Sequence, residues 1–171
     1  MTHLYYGEGK GKTTAAVGLA LRAHAAGMSV VVVQFLKSRL SGEIRVLKSL
    51  PGVTVFAGKS GGFAHSMTEE ERAATLLIHG RNFESAAALA RAGACQFLLL
   101  DELCAAWNHA LIDRVRTERF LRDAPGGLEL AITGRRPPPL FLELADYATE
   151  MLPRRHPFAE KGLPAREGVE Y

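Results

Sequence analysis

Two kinds of hydrophobic run alternate along the chain. Ser29-Val30-Val31-Val32-Val33-Gln34-Phe35 is an almost unbroken β-branched stretch, and Gln96-Phe97-Leu98-Leu99-Leu100 and Leu128-Glu129-Leu130-Ala131-Ile132-Thr133 resemble it. Runs of this kind suit strands covered on both faces, as in a parallel sheet. Shorter strands are expected at 1–6, 53–56 and 147–152. Between them the apolar residues take helical spacing, predicting helices over 14–23, 42–50, 68–93 with a break near Gly80, 103–121 interrupted around Asp113, and 140–145. Thr68 with Glu71 three residues on reads as a capping box that opens the long helix. Pro125-Gly126-Gly127 is a turn, and from Arg154 to Gly168-Val169-Glu170-Tyr171 the chain reads as an irregular tail. The alternation predicts one α/β domain over residues 1–171, three layers around a mainly parallel sheet.

Composition narrows the class. With 171 residues, 47% hydrophobic and 23% charged, there is enough apolar material for a sizeable core. No stretch approaches the roughly 20 apolar residues of a spanning helix, and the chain enters a strand at once rather than through a signal peptide. The formal net charge of +3 suits a small anionic ligand and is too weak and scattered for nucleic acid. Cys95 and Cys104 lack metal-site spacing and read as buried, reduced thiols of a cytoplasmic protein.

The chemistry is concentrated in Gly7-Glu8-Gly9-Lys10-Gly11-Lys12-Thr13-Thr14. Alternating glycines let the backbone take φ > 0 and approach a ligand closely, so that successive N–H groups point at phosphate oxygens. A helix beginning near Lys12 adds its unpaired N–H groups and the positive end of its dipole. Lys12 then reaches the outer phosphates, and the Thr13 hydroxyl is a ligand for Mg²⁺. Counted back from Gly11-Lys12-Thr13, the usual phosphate-loop pattern wants glycine at position 6, where the chain has Tyr6. Either the loop is one residue shorter than usual or its register against the phosphates differs.

Other strand ends supply polar groups to the same edge, where ligands of open parallel sheets bind. Gln34 and Lys37 follow the valine run, Lys37 as a site residue or a solvated loop lysine. Asp101-Glu102 closes the run Phe97–Leu100, one acid to orient a metal or its water and the other to act on the ligand. Arg135, in Thr133-Gly134-Arg135, is placed for a phosphate or carboxylate. The glycine-rich loop 57–66 carries Phe63 and His65 at its tip; a loop of this length with an apolar tip points to function, and His65 stands as site residue or exposed loop histidine. Trp107 reads as a packing residue.

These stretches in order, G-E-G-K-G-K-T-T-A-A-x-G-L-A-L-R-A, Q-F-L-K, S-G-E-I, L-L-L-D-E-L, T-G-R-x-x-P and the tail A-D-Y-A-T-E-M-x-x-R-R-H-P-F-x-x-K-G-x-x-A-R-E-G-V-E-Y, resemble the phosphate-loop ATP:corrinoid adenosyltransferases. The resemblance implies a recombinase-like α/β core, usually a homodimer, that moves the 5′-deoxyadenosyl group of ATP to cobalt(I) and releases triphosphate. It implies Mg²⁺, ATP bound in reversed orientation, and an electron donor for cobalt(II), such as a flavoprotein. By position it places the triphosphate on Gly7 to Thr13, a phosphate contact on Arg22, and the metal on Thr13, Asp101 and Glu102. It sets Gln34, Lys37 and Arg135 near nucleotide or corrinoid. A family F-x-W pair that blocks the lower cobalt face corresponds to Phe63-Ala64-His65, with imidazole in the tryptophan position. The N-terminal extension that some members lay over the corrinoid has no counterpart in this sequence. Two other classes use such a cradle: a phosphoryl-transfer kinase or NTPase, and a nucleotide-gated binding module.

Overall fold

The computed structural model describes residues 1–37, 41–166 and 168–169. Its elements in order are β1 (Thr2–Tyr6), α1 (Lys12–Ala25), β2 (Val30–Gln34), α2 (Gly42–Ser49), β3 (Val53–Ala57), α3 (Glu69–Arg91), β4 (Phe97–Asp101), α4 (Leu103–Asn108), α5 (Arg114–Arg122), β5 (Glu129–Gly134), α6 (Pro139–Leu144), β6 (Tyr147–Glu150) and α7 (Pro157–Lys161). The strands form one sheet in the order β3-β2-β4-β5-β1-β6, and every ladder is parallel.

The valine run explains the layers. Val30 and Val32 pack with Ala16, Val17, Ala20, Ile44 and Leu47, so α1 and α2 cover one face. Val31 and Val33 pack with Phe83, Ala86, Ala87, Cys104, Phe120 and Phe141, so α3 to α6 cover the other. A strand buried on both faces has no polar side to alternate with, which is why its sequence shows no period of two. Parallel pairing brings all the strand ends to one edge, where Tyr6, Gln34, Asp101 and Gly134 lie.

The long helix α3 runs unbroken through Gly80, contrary to the expected interruption. A glycine costs a helix about 1 kcal/mol, and burial of Phe83, Ala86, Ala87 and Ala90 outweighs that. The Thr68–Glu71 capping box is present, and Asp113 caps α5 through the Arg116 N–H, which accounts for the interruption there. The tail is not wholly irregular. Pro157 opens α7, Glu160 accepts from the His156 N–H, and Gly162 closes it in the left-handed conformation. Of the tail, Glu167, Glu170 and Tyr171 lie outside the described residues. Cys95 and Cys104 are buried and free, and Trp107 packs edge-on against Phe141. No helix among the described residues is long and apolar enough to cross a membrane.

Gly134, the last residue of β5, has φ 148°, and a Cβ there would lie 2.5 Å from Cβ of Cys104. Gly134→Ala is therefore expected to cost about 1–3 kcal/mol by overpacking. A lowered urea midpoint with unchanged slope is the signature; an unchanged midpoint would show that α4 does not press on this strand.

Candidate active site

The glycine loop occupies residues 7–11, between the end of β1 and the start of α1. Tyr6 is still a strand residue, paired with Gly134 and Glu150, so the loop is the shorter one rather than a shifted one. Gly7 (φ 105°) and Gly9 lie under the chain leaving β6: a Cβ would stand 2.5 Å and 2.7 Å from the Met151 carbonyl oxygen. The Gly9 N–H donates to that oxygen at 2.7 Å, and the Met151 N–H donates to the Tyr6 carbonyl at 2.7 Å. The loop is thus braced by a segment some 140 residues away in sequence, which takes up the Gly9 N–H expected to face phosphate and about which the loop itself gives no hint.

Gly11, left-handed at φ 110°, precedes α1 without a side-chain cap, so the first N–H groups of the helix are not taken up by one. Lys12 is the first helical residue and only 8% exposed. Its Nζ donates to the Gly9 carbonyl at 2.7 Å, folded back on its own loop. Burial, followed by the nearby Arg135 charge, holds its pKa below the usual lysine value. Lys10 and Thr14 are exposed on the loop and the first turn of the helix.

Asp101 is the hub. It ends β4 at 0% exposure, and its Oδ1 accepts from Thr13 Oγ1 and Thr133 Oγ1, each at 2.8 Å. Its Oδ2 accepts from Gln34 Nε2 at 3.1 Å and stands 3.6 Å from Lys37 Nζ. Three strands and α1 therefore converge on one carboxylate. Glu102, the next residue, takes the left-handed region at φ 62°, ψ 26°, while its N–H donates to Thr133 Oγ1 at 2.9 Å. Its carboxyl is pushed above the usual glutamate range, first by burial and then by Asp101, against the pull of Lys37, Lys12 and Arg135. Gln34, fully buried, leaves its Oε1 without a partner among the described residues.

All the donors here are oxygens, the hard ligands that Mg²⁺ prefers. Asp101 is committed to four protein groups, so Thr13 and Glu102 are the side chains that fit direct coordination, with Asp101 orienting Thr13 from behind. No group of three or more His, Cys, Asp or Glu suited to a metal occurs among the described residues. A magnesium ion here would draw its other ligands from phosphate and water.

A raised folded-state carboxyl pKa means that the folded chain holds this proton more tightly than the unfolded one. The stability this contributes is fully present below the ordinary glutamate value of 4.5 and is lost as pH rises through the folded value. Glu102→Gln should accordingly stabilise the ligand-free protein at neutral pH, with the gain vanishing at acid pH. Chemical unfolding across pH tests this, and a gain independent of pH would refute the assignment.

Arg135 Nη1 meets Glu8 Oε2 at 3.2 Å and Arg136 Nε meets Glu8 Oε1 at 3.3 Å, both pairs largely exposed. Beside them opens a cavity of about 460 Å³, walled by Glu8 and Arg135 on one side and by Arg154, Arg155, His156 and Phe158 on the other. His156 Nδ1 is buried there without a partner among the described residues. Sequence reasoning gave these tail residues no role of their own; the signal was a basic run directly after the last strand, on the edge where the cradle lies.

Arg22, Phe63 and His65 lie on other elements than the glycine loop. Arg22 lies in the last turn of α1, exposed, ten residues and about 15 Å along the axis from Lys12. Phe63 and His65 stack on each other at 5.7 Å and 11°, with Phe63 76% exposed. Their loop follows β3, an edge strand of the sheet, and is tied to α3 through Arg72, which donates to the Ala64 carbonyl at 3.3 Å.

A three-layer parallel α/β fold carries at one edge a glycine loop, a buried lysine at a helix start and a strand-end aspartate holding the next hydroxyl, an arrangement consistent with a phosphate-loop core. The sequence model of the family described as ATP:corrinoid adenosyltransferase BtuR/CobO/CobP matches residues 1–171, and the chain belongs to that family. It is 34% identical over 168 residues to a corrinoid adenosyltransferase of Sinorhizobium sp, covering 96% of this chain and 77% of that one. It is 31% identical to a corrinoid adenosyltransferase of Pseudomonas aeruginosa, over 98% and 82% of the two chains. Its identity to the corrinoid adenosyltransferase CobA of Salmonella typhimurium is 33%, over 98% and 84%.

Proposed function

We propose that the protein transfers the 5′-deoxyadenosyl group of ATP to the cobalt(I) of a corrinoid, with triphosphate as the leaving group. The observation that carries this reading is the braced five-residue cradle, 7–11, in a chain that matches the adenosyltransferase family from end to end. Cobalt(I) brings its own electron pair, forms the Co–C5′ bond and displaces the C5′–O bond, whose electrons leave with the triphosphate. No protein base is required for that step. The chain's task is to align the reactants and to neutralise charge on the departing oxygens.

Lys12 leaves the Gly9 carbonyl for a phosphate oxygen, and the uncapped N–H groups of α1 point to the same place. Thr13, held by Asp101, and Glu102 would hold Mg²⁺, which supplies further charge neutralisation when bound. Arg135, at present on Glu8, exchanges that carboxylate for phosphate. Gln34 and Lys37 line the metal side of the site, adjoining Asp101. Catalytic work is thus assigned to Lys12, Glu102 and Arg135, and nucleotide binding to the loop from Gly7 to Thr14.

A homodimer, a cytoplasmic location and a flavoprotein-type electron donor complete this reading. The exposed Phe63–His65 loop is assigned to the corrinoid acceptor. Its stacked pair is suited to covering a flat macrocycle, with imidazole in reach of cobalt. His65→Ala should then change the absorption spectrum of protein-bound cobalt(II) corrinoid, and an unchanged spectrum would remove His65 from the metal's surroundings. The reaction itself is tested by mixing protein, MgATP and chemically reduced corrinoid. ATP-dependent loss of cobalt(I) absorption with formation of an adenosylated corrinoid is expected; no corrinoid product would leave only a nucleotide-binding module.

A further inference from the structure

His79 sits in the middle of α3 at 1% exposure, outside the site described above. Both of its ring nitrogens are engaged. Nδ1 is 2.8 Å from the Leu111 carbonyl oxygen, and since a carbonyl only accepts, Nδ1 carries the hydrogen. Nε2 is left as a bare acceptor, and the Leu36 N–H donates to it at 3.2 Å. Phe35 meets the ring edge-on at 5.1 Å, and burial favours the neutral imidazole that this arrangement needs.

Leu36 is the point where the chain leaves β2. Phe35 still donates its N–H to the Asp101 carbonyl at 3.0 Å, continuing the pairing with β4. Leu36 departs from it with φ 58°, a left-handed conformation that a leucine keeps only when its surroundings impose it. Its N–H turns off the ladder and finds His79. The next residue, Lys37, is carried back over the sheet end to within 3.6 Å of Asp101 Oδ2, where its charge also acts on Glu102.

We propose that His79 is a positioning residue for nucleotide binding: by holding the Leu36 N–H it fixes the left-handed turn and keeps Lys37 over the Asp101–Glu102 pair. The inference rests on the reading of that pair as the metal side of the phosphate site.

Asparagine and glutamine separate the two ring nitrogens. His79→Asn sets an amide near the Nδ1 position, keeping a donor for Leu111 and losing the acceptor for Leu36. His79→Gln reaches the Nε2 position and does the reverse. Each change removes one buried hydrogen bond, so a purely structural role moves both variants alike. Calorimetry of the full chain with MgATP and no corrinoid is expected to show about a five- to tenfold weaker affinity in His79→Asn and a change within about twofold in His79→Gln. On a Lys37→Ala background, His79→Asn should add less than about a twofold loss, because the two act in series.

Equal losses in the two variants, or full additivity with Lys37→Ala, would overturn the proposal. If His79→Asn does not fold, nitrogen NMR of the unaltered protein decides. A protonated Nδ1 with Nε2 coupled to the Leu36 amide supports the arrangement, and the opposite tautomer refutes it. The affinity readout contains no corrinoid, so MgATP binding without adenosyl transfer would discard the proposed reaction and leave this inference to stand or fall on the affinities.

Discussion

Replacing Lys12 with alanine lowers the rate of adenosyl transfer by about 10²–10³-fold, the usual cost of removing one preorganised charge-stabilising group, and leaves the protein folded. Both halves follow from the same geometry. Lys12 is buried, its pKa is held down by that burial, and its ammonium donates to a carbonyl of its own loop. A charge kept in that position contributes little to the ligand-free fold. Its interaction becomes favourable when a phosphate oxygen replaces the Gly9 carbonyl and negative charge grows on the leaving group. The expected pattern is unchanged circular dichroism and melting temperature with collapsed single-turnover rates. Normal turnover in Lys12→Ala would remove the lysine from the mechanism.

Asp101→Ala is the complementary case, where the fold itself suffers. The substitution takes the common acceptor away from Thr13, Thr133 and Gln34 and leaves the Lys37 ammonium beside an apolar methyl. Removing one partner from a buried, hydrogen-bonded charged network costs about 3–5 kcal/mol, a large part of the stability of a domain this size. Asp101→Asn, which keeps the shape and one acceptor oxygen, should lose less stability but still misplace Thr13 and weaken magnesium-dependent nucleotide binding. Urea unfolding of the two variants tests the order. An Asp101→Ala protein as stable as the original would mean that the carboxylate is not the hub described.

What the sequence revealed and what it hid divide along the range of the interactions. The valine run, the apolar run ending in Asp101-Glu102, the Thr68–Glu71 box and the glycine loop are all local patterns, and each became the element it predicted. Hidden were the contacts between distant segments. Nothing near Gly9 announces Met151, and nothing near Asp101 announces that Thr13, Gln34, Lys37 and Thr133 converge on it. Arg22, assigned a phosphate contact by the resemblance, shares a helix with Lys12 and stands in its last turn. At Gly80, local propensity argued for a break that core packing overrode. Helix α7 was legible in hindsight, because Pro157 and Gly162 are ordinary start and stop signals.

The reading depends above all on which bond of ATP breaks. A single turnover with ATP, Mg²⁺ and chemically reduced corrinoid, quenched and resolved for its phosphate species, measures that directly. Triphosphate released in equal amount to adenosylated corrinoid is the predicted result; ADP with inorganic phosphate would contradict it and make the protein a phosphoryl-transfer enzyme.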